Sequence, residues 1–161
     1  FIDSGMEIDP NGISMLLEHM EWYNADVIVG SKRHPASVVV YPWERKVLSN
    51  GYQMIVRFLF HLQVRDTQAG VKIFKMKVLQ RILPRLLEKK YAFDLEMLAV
   101  ATRLGFKRIY EAPIKLGYNF GNLTHAATVS TIWHILVDTL AIFYRINILK
   151  YYDNKNWKYR K

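Results

Sequence analysis

The sequence predicts an α/β fold with a mostly parallel sheet and flanking helices. Two observations carry this. Helical periodicities alternate with short β-branched runs along the chain, and the run Ala25-Asp26-Val27-Ile28-Val29-Gly30 is apolar enough for a strand buried on both faces. The length of 161 residues suits one domain with one core.

Phe1-Ile2-Asp3 reads as the end of a buried strand entering a polar turn, so the segment is expected to start inside a domain. Asp9-Pro10 supplies a cap with proline at the first helical position, and Ile13, Leu16, Leu17 and Met20 recur at helical spacing up to Trp22. After the strand at 25–30 comes a loop over 31–42 that holds Lys32, Arg33, His34 and two prolines. A long amphipathic helix is predicted over 43–62 in spite of Gly51, from Val47, Leu48, Tyr52, Ile55, Val56, Leu59 and Phe60. Val71-Lys72-Ile73-Phe74 is a second strand, and the helix over 78–87 should bend or break at Pro84. Residues 94–104 form a further helix closed by Gly105, and 108–114 a strand whose Pro113 suits an edge. A glycine- and asparagine-containing loop follows over 117–125.

The stretch 128–152 places Ile132, Trp133, Leu136, Leu140, Phe143 and Ile146 on one expected face. Thr131, His134, Asp138 and Arg145 fall on another. Its charged residues interrupt any spanning helix, so it is expected to touch a membrane surface without crossing it. Lys150, Lys155, Lys158, Arg160 and Lys161 then interleave with Tyr151, Tyr152, Trp157 and Tyr159, a mixture suited to anionic headgroups.

Composition narrows the chemistry. Apolar residues are 51% and charged residues 23%, which excludes a disordered or collagen-like chain. Cysteine is absent, so disulfides, thiolate metal sites and a cysteine nucleophile are excluded. Lys and Arg number 23 against 14 Asp and Glu, a net charge of +9 that attracts phosphate-bearing substrates, anionic lipid or nucleic acid without choosing among them. The five histidines lack zinc-ligand spacing, and neither a P-loop, a G-x-S-x-G elbow nor a standard nucleic-acid motif is present.

In α/β sheets ligands gather beyond the carboxyl ends of strands, which directs attention to four segments. Asp3-Ser4-Gly5-Met6-Glu7 sets two carboxylates four residues apart, either a solvated turn or ligands for a hard divalent ion. Gly30-Ser31-Lys32-Arg33 places a hydroxyl and two cations at a strand end, with Arg45 and Lys46 opening the next helix. That is phosphate-site chemistry or a solvated basic face. Asp66-Thr67-Gln68-Ala69-Gly70 is a polar turn. Phe93-Asp94-Leu95-Glu96 carries a second acidic pair, with Asp94 also suited to cap its helix, so one of the two acids is expected to be structural.

In order, FIDSGMEIDP, ADVIVGSKRHP, WERKVLSNGYQ, VRDTQAGVKIF, YAFDLEMLAVATRLGF, EAPI and VDTLAIFYR resemble glycosyltransferase family 2, in its dolichol-phosphate mannose synthase-like branch. The resemblance covers essentially the whole chain. It implies a GT-A type catalytic domain, here N-terminally incomplete over residues 1–127, with an amphipathic membrane-proximal helix and basic aromatic tail over 128–161. It further implies inverting transfer of a sugar from a nucleotide-sugar, GDP-mannose or a UDP-sugar, to a polyprenyl phosphate by a peripheral enzyme at the cytoplasmic face of a membrane.

By the same resemblance Asp3 and Glu7 would hold Mg²⁺ or Mn²⁺, although Gly5 stands where the family has its second metal aspartate. Ser31, Lys32, Arg33 and Arg45 would contact phosphates, and Asp66, Gln68, Asp94 and Glu96 would form the acidic acceptor side. A partial domain is expected to be inactive alone. The alternative is a noncatalytic basic α/β module that docks on anionic lipid or a partner transferase; no nucleic acid is expected.

Overall fold

A computed structural model describes residues 1–2, 12–37, 43–89, 92–115 and 129–153, with side chains in the two long helices described from Leu48 and from Thr131 onward. Its described elements are α1 (Ile13–Trp22), β1 (Val27–Ser31), α2 (Trp43–Phe60), β2 (Lys72–Phe74), α3 (Met76–Ile82), α4 (Phe93–Arg103), β3 (Ile109–Pro113) and α5 (Val129–Asn147). This is a mixed α/β arrangement of five helices and a three-stranded sheet among the described residues.

The sheet order is β2-β1-β3. β1 runs parallel to β3, pairing Val27 with Ile109 through Ser31 with Pro113, and antiparallel to β2, pairing Val29 with Lys72. The sheet is therefore mixed rather than mostly parallel. Periodicity reports which face a side chain takes but not which way the neighbouring strand runs, so the β2 direction was not readable.

Every residue of β1 is buried, as a central strand covered on both faces requires. Alternation sends Val27 and Val29 into the larger core built with α2, α3, α4 and α5. Ile28 turns into a smaller core with Leu16 and Met20 of α1, Val71, Ala112 and Ile114. Gly30 belongs to the second face, where a Cβ would stand 2.4 Å from Val71 Cγ1 and 2.7 Å from Ile114 Cγ2.

Ile2 forms an isolated antiparallel bridge with Val71, and the Phe1 carbonyl accepts from the Lys72 amide at 3.0 Å. Phe1 and Ile2 are exposed, not buried as expected, because among the described residues only the Val71 side pairs with them.

Pro84 ends α3 as its missing N–H predicts: a 3-10 turn at Leu83–Arg85 replaces further α-helix. Gly105, at φ +92°, closes α4, its amide donating to Thr102 O. The cap at the other end of α4 is Ala92, so Asp94 lies in the first turn and does not cap.

α5 departs most from expectation. Its buried side is Thr139, Ile142 and Ile146, packed on α4 and α2, with Tyr52 Oη 3.0 Å from Thr139 Oγ1 and Phe60 edge-on to Phe143. Trp133 and Leu140, expected on the same apolar face as Ile146, point outward with Val137 and Tyr144. Arg145, expected on the polar face, is partly buried and bonds Glu88 Oε1 at 2.5 Å. The helix is apolar on two sides, and a single stripe cannot describe it.

Candidate functional site

Three segments meet at one end of the sheet. Because β2 is antiparallel to β1 and β3, its entry lies beside their carboxyl ends: the Gly30 amide donates to Val71 O at 3.0 Å. The loop after β1, the turn before β2 and the exit of Ile2 toward Asp3 thus share that end. Asp3 and Glu7 themselves lie outside the described residues.

The loop at 31–37 is built by its own short side chains. Ser31 Oγ accepts from the Arg33 amide at 3.1 Å. Ser37 Oγ donates to Ser31 O at 2.6 Å and accepts from the Ile114 amide at 3.0 Å, fastening the loop to the end of β3. Arg33 reaches α2, where its guanidinium bonds Ser49 Oγ at 2.5 Å and the Asn50 side-chain oxygen. Both acceptors are neutral, so the Arg33 charge stays available to an anion. Arg45 stands one turn before Ser49 on α2, and its side chain is outside the described set.

The turn carrying Asp66 is gripped from three directions. Asp66 Oδ2 accepts from the Lys32 amide at 2.9 Å, joining the acidic turn to the basic loop. Glu111 of β3 accepts the Arg65 and Asp66 amides on Oε1, at 2.6 Å and 2.9 Å. Buried Thr67 exchanges hydrogen bonds with the Gln53 amide of α2 at 3.2–3.3 Å, and Gln68 bonds the Tyr52 hydroxyl. Burial pushes the Asp66 carboxyl above the usual range, against the Lys32 amide and the charges of Lys32, Arg33 and Lys72.

Asp94 and Glu96 do not act together. Two residues along a helix is about 200°, so they leave α4 on nearly opposite sides. Asp94 Oδ1 meets Lys72 Nζ at 2.7 Å, beside the turn. Glu96 is fully buried and accepts from the Leu87 and Glu88 amides at 3.0 Å and 2.9 Å and from Tyr152 Oη at 2.5 Å. Glu96 is the structural acid of the pair: its hydrogen bonds fix the 87–88 corner and the segment after α5, and its carboxylate lies 3.8 Å from the Arg145 guanidinium of α5.

Sequence reading missed Lys72, Glu111, Thr67 and Gln53. Lys72 carried a signal, a lone cation inside an otherwise apolar strand run. Among the described residues no three His, Asp or Glu groups gather as a metal centre. A depression lined by His61, Gln63, Thr102, Lys107 and Ile109 opens at the far end of β3, away from these groups.

No family model matches the chain. Over 115 residues it is 32% identical to the undecaprenyl-phosphate mannosyltransferase of Micrococcus luteus, covering 70% of this chain and 46% of that protein. It is 33% identical over 107 residues to the polyprenol monophosphomannose synthase of Mycolicibacterium smegmatis, 65% of this chain and 40% of the relative. The dolichyl-phosphate beta-glucosyltransferase of Dictyostelium discoideum is 29% identical over 99 residues, 60% and 30% of the two chains. The chain thus spans less than half the length of these curated relatives. On this similarity, shared with mannosyl and glucosyl transferases alike, the chain belongs to the dolichol-phosphate mannose synthase-like branch of glycosyltransferase family 2.

Proposed function

We propose that this chain supplies the phosphate-binding and acceptor side of a GT-A type enzyme that transfers a sugar, with inversion, from a nucleotide-sugar to a polyprenyl phosphate. The observation that carries the reading is the bond from the Lys32 amide to Asp66, which sets a basic loop and an acidic turn side by side at the ends of β1 and β3. The relatives' names supply the acceptor class.

The acceptor needs little help to become a nucleophile. A phosphate monoester has its second pKa near about 6 and is largely dianionic at neutral pH. Asp94, paired with an ammonium, and Asp66, committed to an amide, are better suited to orienting than to deprotonating. The protein's larger task is to stabilise the departing nucleoside diphosphate, for which Lys32, Arg33 and Arg45 are the candidates. Asp3 and Glu7, two hard carboxylate donors, fit Mg²⁺ or Mn²⁺, and a divalent ion there would neutralise diphosphate charge.

No described helix is long and apolar enough to cross a membrane. The outward stripe of Trp133, Val137, Leu140 and Tyr144 on α5 supports peripheral contact with the surface that presents the acceptor. Lys155, Lys158, Arg160 and Lys161 lie outside the described residues.

The test is transfer from radiolabelled GDP-mannose and UDP-glucose to undecaprenyl phosphate by the protein carrying this chain, with Mn²⁺ and with EDTA. Metal-dependent transfer that Asp3→Ala abolishes without moving the unfolding midpoint is expected. Activity in the Asp3→Ala variant removes the metal assignment, and no transfer from either donor removes the reading. Sedimentation with anionic liposomes at low salt should weaken when the tail is deleted. That deletion must begin at Asn154, since Tyr152 and Asp153 bond Glu96 and Arg103.

A further inference from the structure

Lys72 is a buried cation at this end of the sheet. It sits on β2 opposite Val29, pointing into the larger apolar core, and none of its surface is exposed. Burying an ammonium is unfavourable, and a hydrophobic residue of similar volume in such a place is often neutral or stabilising. Stability alone therefore gives no reason for a lysine here.

Its bonds give a different reason. Nζ donates to Ala69 O at 2.6 Å, inside the acidic turn, and to Asp94 Oδ1 at 2.7 Å, in the first turn of α4. The Phe1 ring lies 6.0 Å from the ammonium, in the segment that leads to Asp3. One buried cation thus joins three segments that carry candidate site residues: the exit toward Asp3, the turn of Asp66 and Gln68, and the head of α4. Asp94 keeps 24% of its side chain open, so the pair lies at the boundary between core and site. Without Lys72 its carboxylate would have the first-turn amides of α4, which lack partners within the helix, as competing partners.

We propose that Lys72 is the positioning residue of the candidate transfer site, tying the turn before β2 to the head of α4 and holding the Asp94 carboxylate in one orientation toward the acceptor. This rests on the transfer reading above. Lys72 touches no substrate; it acts through Asp94.

The test compares wild type, Lys72→Met, Lys72→Arg, Asp94→Asn and the Lys72→Met/Asp94→Asn pair in the full protein. The probes are GDP-mannose or UDP-glucose with undecaprenyl phosphate, assayed well below each variant's unfolding midpoint. Misplacing a reacting or orienting group by about 1 Å costs on the order of 100-fold in rate. Lys72→Met should therefore lower kcat roughly 10- to 100-fold while KM for the donor changes less than about threefold. Lys72→Arg, which keeps the charge and the donors, should recover most of kcat, and Lys72→Met should cost nothing further on the Asp94→Asn background. A purely structural lysine would instead lower the midpoint and leave kcat unchanged below it, which overturns the inference, as does full additivity in the double variant. Should Lys72→Met fail to fold, Lys72→Gln, which retains a donor, is judged by the same criteria. Absence of transfer in the wild type overturns the functional reading and this inference with it, whereas an active wild type with an unimpaired Lys72→Met variant overturns the inference alone.

Discussion

Replacing Gly30 by alanine should destabilise the fold although it adds a single methyl group. The new Cβ would lie 2.4 Å from Val71 Cγ1 and 2.7 Å from Ile114 Cγ2, where carbon atoms pack at about 3.5–4.0 Å. Both neighbours are buried β-branched side chains with stiff χ1 angles, so neither can swing away. β1 must then shift against the neighbouring segments that carry Val71 and Ile114. Overpacking of this kind costs about 1–3 kcal/mol, and the entropy that alanine removes from the unfolded chain returns only about 0.4–1 kcal/mol. A net loss of about 1–2 kcal/mol is expected.

Urea unfolding of the protein carrying this chain would show it as a lower midpoint at unchanged slope. Val71→Ala removes the shorter of the two overlaps. The Gly30→Ala/Val71→Ala double variant should therefore be more stable than the sum of the single losses, by on the order of 1 kcal/mol. Wild-type stability in Gly30→Ala, or strict additivity in the double variant, would refute the reasoning. Ser31 follows Gly30 directly, so the same variant should also weaken the phosphate binding proposed for the loop.

Three further outcomes are expected. Burial raises the Asp66 carboxyl, so the folded state holds that proton more tightly than the unfolded chain; its stabilisation is complete below about pH 3.9 and lost as pH rises through the folded value. Asp66→Asn should accordingly gain on wild type in urea unfolding between pH 4 and pH 7, and a gap that shrinks with pH contradicts this. The Arg103 hydrogen bond holds Asp153 below the usual range, so Asp153→Asn should cost its full stability above about pH 4 and progressively less as pH falls through the lowered folded value; both side chains are about a third exposed, which limits the loss to under about 1 kcal/mol. Tyr152→Phe removes a donor from buried Glu96 and should cost about 1–3 kcal/mol in thermal unfolding, while an unchanged midpoint would show that Glu96 does not depend on it.

Much of this architecture was legible because burial leaves a periodic trace. The run at 25–30 announced a strand covered twice, and Pro84 and Gly105 announced their helix ends. Strand direction left no trace, since antiparallel β2 shows the same alternation a parallel strand would. The separation of Asp94 from Glu96 was written in their spacing, yet a short acidic run reads as one unit until the 100° step per residue is applied. α5 misled for another reason. Apolar residues on two sides leave the phase of the helix undetermined, and Arg145 turned inward, where Glu88 and Glu96 meet it. Glu111 could not be singled out from sequence, because what it binds is backbone amides far away in the chain.

Those amide bonds decide the electrostatic character of the candidate site. Asp66 and Glu111 are acids beside the basic loop among the described residues, and a free carboxylate there would repel any phosphate. Instead Glu111 accepts two amides and Asp66 accepts the Lys32 amide, so hydrogen bonds to main chain absorb much of their negative potential. The Arg33 guanidinium is steadied by a hydroxyl and an amide oxygen, partners that fix its direction without neutralising it. Acids thus serve as anchors for backbone while cationic charge remains at the mouth of the sheet, in a chain whose net charge is already +9. Position and charge are therefore coupled through Asp66, which both fastens the Lys32 amide and faces the Lys32, Arg33 and Lys72 charges.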